Sequence, residues 1–422
     1  MSVDWHDGEA PGIRLTQSVM PDGDAGARLS SALPAFIGGH PAITGARQAV
    51  NTTGVYFVPV ATWEQWPWRY RPGEWCLADT VRHYFDNGGG PCFVLTAPEE
   101  TTSTDQAQWA WWDTFIGTAS TLLLREPAIT LVAAPQLSLL SSSPVGEHVE
   151  GEAEALVLRW QALLQACASR PDLFFVLDAP PEPQVATACI ESIRSSNALS
   201  HDVASRVALY GPHLVTDYDD VGTLPPCGAV LGVYGRTDEV DGVWKAPANE
   251  ILLHVIKPAV RETLAREWFA ANQPAINLIR SFAGRGTRIW GCRTLSSAAA
   301  FRYVQVRRTV TWIEANLKQI CRFAVFEPNN EITWFQVRGL CRAWLRRVWL
   351  DGGLAGADET AAFSVRVGLN ESMTAADIEA GRLVIAVGVS VLHAAEFIDV
   401  RLVLTVGDGQ ENGTSSQGSR NA

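Results

Sequence analysis

Between residues 55 and 233, short apolar runs recur at 55–60, 92–96, 129–133, 173–177, 207–210 and 230–233, with helical patterns between several of them. Few architectures suit that rhythm. Strands separated by helices pair in parallel, because a parallel connection needs a crossover of a dozen or more residues. Runs that are apolar throughout, rather than alternating, are strands buried on both faces. The pattern predicts a mainly parallel sheet, with 35–39 as its first buried strand. One helix puts Leu77, Val81, Tyr84 and Phe85 on a single face and stops at Asn87-Gly88-Gly89-Gly90. A second covers 151–169, with Leu156, Leu158, Leu163 and Leu164. The stretches 101–108 and 141–144 read as surface loops, 235–249 as a polar joint, and 262–272 as a helix ending before Pro274.

From 276 onwards the pattern changes. Val306, Val310, Ile313, Leu317, Ile320, Cys321 and Ala324 recur at spacings of three and four, one apolar stripe of a helix. The next helix begins after Pro328, with Asn329 or Asn330 as N-cap, and ends at Asp351-Gly352-Gly353. Its Trp334, Val337, Cys341, Trp344, Leu345 and Val348 share one face, while Arg338, Arg342 and Arg346 form a separate stripe. Gly339 and Ala343 lie beside that stripe and leave room for a close neighbour. Residues 363–367 alternate as a strand, Thr374-Ala375-Ala376-Asp377 resembles a capping box for a short helix ending at Gly381, and 383–391 and 397–406 alternate as two further strands.

Composition removes several function classes. The net charge of −12 argues against a non-specific nucleic-acid binder. Residues 274–406 nevertheless carry 16 basic against 11 acidic residues, a net of +5, which leaves the remainder at −17. Two surfaces of opposite sign suit two different neighbours, a solvated charge imbalance being the plain alternative. No apolar run is long enough to span a bilayer, and the acidic N-terminus has no signal-peptide core, so synthesis in the cytoplasm is expected. The eight cysteines are scattered without Cys-x-x-Cys, as buried reduced thiols are. No phosphate loop, dinucleotide fingerprint, His-Glu-x-x-His or Gly-x-Ser-x-Gly occurs, so no enzyme chemistry, cofactor or metal is expected.

Several stretches, in collinear order, resemble the tail sheath proteins of contractile phage tails and related injection machines. They are 276–296, Tyr303-Val304-Gln305-Val306-Arg307-Arg308, 325–329, Leu345-Arg346-Arg347-Val348-Trp349-Leu350-Asp351-Gly352-Gly353-Leu354-Ala355-Gly356, and 373–389. Phe85-Asp86-Asn87-Gly88-Gly89, Ala208-Leu209-Tyr210-Gly211-Pro212 and 242–249 add to them. The resemblance implies a multidomain α+β and α/β chain. An inner domain is built from the C-terminal module plus N-terminal residues (26–54 and 274–394), and an outer α/β domain is inserted at 55–273. Arms at 1–25 and 395–406 would add strands to neighbouring subunits; 407–422, rich in Gly, Ser and Asn, are expected from composition to be a disordered tail. Residues Ile13, Leu15, Phe397, Val400, Leu402 and Leu404 would make the inter-subunit strands, and Arg338, Arg342 and Arg346 would face the tube. The missing outer domains of large phage sheaths suggest a compact pyocin-like or antifeeding-prophage-like particle.

The resemblance implies a structural subunit that polymerises helically around an inner tube and contracts to drive it through an envelope. Its partners would be itself, the tube protein, baseplate and terminal cap proteins, and paralogous sheath subunits, with no nucleic acid and no membrane insertion. Two alternatives stand beside this reading. One is a minor baseplate-proximal paralogue of the same machine; the other is an α/β enzyme with an oligomerisation module, which would need clustered acid, base or nucleophile side chains in the middle domain.

Overall fold

Five of the six apolar runs become strands; burial on both faces accounts for the lack of alternation in those at 129–133, 173–177 and 207–210, while that at 55–60 is a half-exposed edge strand. The computed structural model describes residues 28–40, 55–98, 105–140, 149–195, 199–270 and 272–393. Strands β1 (Pro34–His40), β2 (Tyr56–Val60), β3 (Cys92–Pro98), β4 (Leu131–Ala133), β5 (Phe174–Asp178) and β6 (Val207–Gly211) join β10 (Ile276–Phe282) and β11 (Gly286–Trp290) in one sheet. Its order is β11-β10-β6-β5-β4-β1-β3-β2. The interior pairings are parallel, and an antiparallel pair closes each end, β10 with β11 and β2 with β3. A small sheet of β7 (Leu214–Thr216), β8 (Thr223–Leu224) and β9 (Val255–Pro258) lies beside it.

Successive strand residues point to opposite faces, so each strand supplies two cores. Ile37, Phe175, Leu177 and Leu209 meet α2 (Asp105–Arg125), α3 (Val149–Ala166) and α4 (Pro183–Ser195) through residues such as Trp112, Leu123, Leu156, Trp160 and Ile190. Phe36, Val94, Val176 and Tyr210 meet the other face, where α1 (Cys76–Asp86) and α6 (Cys227–Val240) place Leu77, Val81, Tyr84, Val230 and Val233. A short helix, α5 (His201–Ser205), leads into β6.

The sixth apolar run, 230–233, is not a strand. It lies in the middle of α6, where a completely buried helix has the same local composition as a buried strand. The discriminating signal is the four-residue spacing of Gly228 and Gly232. A Cβ on Gly228 would sit 2.3 Å from the Thr80 carbonyl oxygen, and one on Gly232 would sit 2.5 Å from that of Tyr84. The glycines thus let α6 lie directly on α1. The same helix takes in 235–240, shortening the expected joint, and α2 takes in 105–108, expected as loop. The expected helix at 262–272 is two single 3₁₀ turns, Glu262–Leu264 and Arg266–Trp268, anchored by the fully buried Trp268.

The C-terminal module stands on α7 (Val304–Ile320) and α8 (Glu331–Leu350), followed by α9 (Glu359–Ala362), β12 (Phe363–Arg366), α10 (Ala375–Glu379) and β13 (Ala386–Val389). Asn330 caps α8, its Oδ1 accepting from the amides of Ile332 and Thr333 at 3.1 and 3.2 Å; such a cap contributes about 1 kcal/mol. Thr374 and Asp377 form the expected capping box of α10. Trp312, Ile313, Trp344, Leu345, Val348 and Phe363 make one core of the module. Only 386–389 of the strand expected at 383–391 is paired, antiparallel to β12.

The boundaries expected at 54/55 and 273/274 do not match the edges of the sheet. β1 enters its centre from before residue 55, and β10 and β11 extend it from beyond residue 274. Parallel pairing of β10 with β6 draws these strands into the same layer, because a strand buried on one edge needs a hydrogen-bonded neighbour.

Candidate assembly surface

Helix α8 carries large apolar side chains on its exposed side as well as its buried one, beside a stripe of arginines. Its inner face, Val337, Cys341, Trp344, Leu345 and Val348, packs against α7 and β12. Its outer face exposes Ile332 and Phe335, at 69% and 78%, with Leu340 and Leu350. Gly339 and Ala343 are exposed between them, and a Cβ on Gly339 would meet nothing within 4 Å. Just ahead of the helix, Phe326 is 84% exposed and holds a φ of +69°, a conformation rare for an aromatic residue. A protein surface seldom displays so many large apolar side chains together unless another surface covers them.

The arginine stripe lies on α8 as its spacing requires, and carboxylates from later in the chain meet it. Arg338 donates to Glu371 at 2.7 Å and to the Val367 carbonyl. Arg342 donates to Glu359 at 2.8 Å, and Arg346 lies 3.8 Å from that same carboxylate. Two guanidinium groups on one carboxylate leave local positive charge, and Arg342 and Arg346 remain more than half exposed. Such surface pairs contribute little to stability, about 0–1 kcal/mol each.

Strands β12 and β13 pair only with each other among the described residues, with Phe363 opposite Val389 and Val365 opposite Val387. A two-stranded ribbon is marginal alone; here its apolar side rests on the module core. Its two outer edges carry backbone groups with no strand beside them among the described residues. The expected arm residues Ile13, Leu15, Phe397, Val400, Leu402 and Leu404 lie outside the described residues.

The fold also assembles polar groups that no local motif announced. Ser138 Oγ and His213 Nε2 are 3.2 Å apart, 75 residues apart in sequence, and both are buried. Burial pulls the His213 imidazole down to about 4. Asp178, at the end of β5, accepts the Cys227 amide at 2.7 Å, and burial pushes its carboxyl up to about 7. These side chains are sealed from solvent, at 2% exposure or less, and so face no substrate. The Sγ atoms of Cys321 and Cys341, scattered in sequence, are 3.4 Å apart. Among the described residues no group of three or more His, Cys, Asp or Glu is arranged to hold a metal, and no helix is long and apolar enough to cross a membrane.

Residues 296–405 match the family model described as the phage tail sheath C-terminal domain. The tail sheath protein of Enterobacteria phage T4 is 32% identical over 121 residues, which is 28% of this chain and 18% of that protein. The match thus spans about a fifth of that relative's length. Solved structures extend the likeness over nearly the whole chain. A chain in the cryo-EM structure of the anti-feeding prophage baseplate in its contracted state is 31% identical, with a TM-score of 0.76, covering 94% of this chain and 98% of that one. A chain in the PVC sheath complex of an extracellular contractile injection system, also contracted, is 27% identical with a TM-score of 0.68, covering 96% and 99%.

Proposed function

The chain belongs to the phage tail sheath family, and from that premise we propose that it is a structural subunit which polymerises helically around an inner tube and contracts to drive the tube through a target envelope. The observation that carries this reading is the β12–β13 ribbon with its two open edges. An extended segment from a neighbouring subunit adds to such an edge by backbone hydrogen bonds, and those bonds survive rigid rotation of the bodies they tether. The arms are assigned to 1–25 and 395–406, with Ile13, Leu15, Phe397, Val400, Leu402 and Leu404 as the donated strand residues. The C-terminal module from α7 onward faces the tube, and the sheet, which takes β1 from 26–54 and β10 and β11 from 274–394, faces outward.

A contact between unlike patches, repeated along an axis, generates a helix, and the outer face of α8 supplies one apolar patch of that kind. Arg338, Arg342 and Arg346 face the tube, where weak charge contacts break and re-form as the lattice shortens. The energy of contraction is stored in the extended lattice during assembly, so no nucleotide or cofactor is needed. Baseplate and terminal cap proteins bound the polymer, which is built in the cytoplasm as part of a phage tail-like particle.

A second reading, a subunit at the baseplate end, draws on one match: the chain in the contracted baseplate structure reaches 31% and 0.76, whereas one in the six-fold symmetrised baseplate reaches 27% and 0.65, beside 27% and 0.68 for the PVC sheath chain.

Negative-stain microscopy of the chain, expressed with and without its tube protein, tests both readings. Long hollow tubes that vanish on deletion of 395–406 support the sheath polymer; rings or short stacks that form only with baseplate proteins support the second reading. Monomers under every condition would refute both.

A further inference from the structure

The end of the sheet opposite the strand C-termini holds a cavity of about 140 Å³. Helix α7 closes over residues that immediately precede four strands: Leu33 before β1, Thr130 before β4, Leu173 before β5 and Arg206 before β6. Most of the wall is hydrocarbon, from Leu33, Leu131, Phe174, Trp312 and Ala315. An apolar cavity of about 150 Å³ is large enough to take up benzene.

Arg206 and Arg307 also line this space, at 4% and 8% exposure. Other charges at the cavity are balanced: Arg308 is held by Asp238, and Asp172 by Arg170 at 2.6 Å. These two arginines are not balanced in that way. Arg307 makes one long hydrogen bond, 3.4 Å to the Pro171 carbonyl, and lies over the Phe301 ring. Arg206 donates to the Arg170 carbonyl and comes within 3.6 Å of Asp202, which is itself exposed. Neither Nε has an acceptor among the described residues. Burial lowers the Arg206 pKa, Asp202 and the cavity's Asp172 offset part of that, and the like charge of Arg307 adds to it. Arg307 has no ion-pair partner among the described residues and Arg206 only a long one to an exposed carboxylate; a buried guanidinium short of anions is costly, and an anion bridging the two reduces that cost.

We propose that this cavity binds a small apolar carboxylate, a ring or short chain bearing one carboxylate, held by Arg206 and Arg307 with its hydrocarbon against Leu33, Phe174 and Trp312. The two halves of the site select for both parts of the ligand. An inorganic phosphate would turn oxygens towards hydrocarbon, and an uncharged ring would leave the arginines without an anion. Because α7 provides one wall and the sheet the other, the ligand stiffens the seam between the C-terminal module and the sheet.

The test uses the full chain in solution with benzoate, benzyl alcohol and inorganic phosphate as probes, read by titration calorimetry and thermal unfolding. It is independent of polymerisation, so a chain that forms no tubes tests it equally well. Benzoate is expected to bind saturably and raise the unfolding temperature, with the other two probes on the order of tenfold weaker or worse. Arg307→Gln should weaken benzoate on the order of tenfold and leave benzyl alcohol unchanged. Ala315→Leu fills the apolar end without touching either arginine, so it keeps the test decisive if the Arg307 variant fails to fold; it should abolish benzoate binding. The absence of saturable benzoate binding, binding that survives Ala315→Leu, or phosphate binding as tight as benzoate would each overturn the proposal.

Discussion

Arg308 of α7 and Asp238 of α6 form an ion pair that is almost completely buried, with side-chain exposures of 3% and 6%. The guanidinium reaches both carboxylate oxygens, at 3.1 and 2.5 Å, and also the Ser31 carbonyl at 3.0 Å. Ser31 Oγ donates to the same carboxylate at 2.6 Å, and Trp312 Nε1 donates to the Leu29 carbonyl at 2.8 Å. The segment ahead of β1 is thereby strapped between the sheet and α7. Removing one member of a buried pair strands the other charge, so Asp238→Ala should destabilise the chain by about 3–5 kcal/mol. Urea unfolding measures this; a loss below about 1 kcal/mol would mean that water reaches the pair.

Asp178 should impose an unusual pH dependence. Its carboxyl stays protonated in the folded chain up to about 7, against an ordinary value of 3.8 in the unfolded one. The folded state therefore holds the extra proton between those values. Its contribution is fully present below pH 3.8, declines as pH rises towards 7, and is gone above that. Asp178→Asn removes this dependence, so relative to the parent it should be more stable at pH 8 than at pH 5, by on the order of 2–3 kcal/mol. His83 and His213, both drawn down to about 4 by burial, titrate in the opposite sense but are common to both proteins and cancel in the difference. Unfolding curves at the two pH values provide the comparison, and parallel profiles would contradict the assignment.

Phe335→Asp places a charge in the exposed apolar face of α8. Since the side chain is 78% exposed, stability should change by no more than about 0.5 kcal/mol, while tube formation should be lost. Sedimentation and calorimetry separate the two effects; tubes that form normally would exclude this face from the polymer contacts.

Arg338→Glu with Arg342→Glu puts like charges beside Glu371 and Glu359. The expected cost in stability is small, about 1 kcal/mol, but co-sedimentation with the tube protein should fall more than self-association does. Equal losses in both assays would place the stripe between sheath subunits instead.

Cys321 and Cys341, with sulfurs 3.4 Å apart, should close to an intramolecular disulfide under a diazenedicarboxamide oxidant, which takes up the two thiol hydrogens. The hydrogen bond between them holds the Cys321 thiol above its ordinary range and draws that of Cys341 below it, so Cys341 should attack the oxidant first and burial should limit the rate. Peptide mapping identifies the link, and the closed loop should add about 3 kcal/mol to stability. Recovery of intermolecular links alone would show that the two thiols do not meet.

Local signals carried much of the fold. Asn330 and the Thr374–Asp377 box were legible because a cap is specified within three or four residues. The continuous apolar character of β5 and β6 was legible because both faces of the sheet are covered. The run at 230–233 misled because burial on every side erases the periodicity that separates helix from strand. On the candidate surface, the spacing of Arg338, Arg342 and Arg346 fixed their common face, but not their carboxylates, which arrive from 13 to 33 residues away. The exposed face of α8 was hidden for a related reason: Phe335 and Val337 are equally apolar, and only the position of α7 and β12 decides which of them is covered.

The position of β10 and β11 at one end of the sheet governs what a ribosome releases and when. The sheet is complete once Trp290 has emerged, whereas the outer face of α8 lies 40 to 60 residues later and the β12–β13 ribbon later still. At about 5–20 residues per second, the body of the subunit has several seconds to fold before the exposed apolar face of α8 exists. Nascent copies on a polysome thus hold folded sheets before the α8 face and the ribbon edges, the surfaces proposed for assembly, can meet one another.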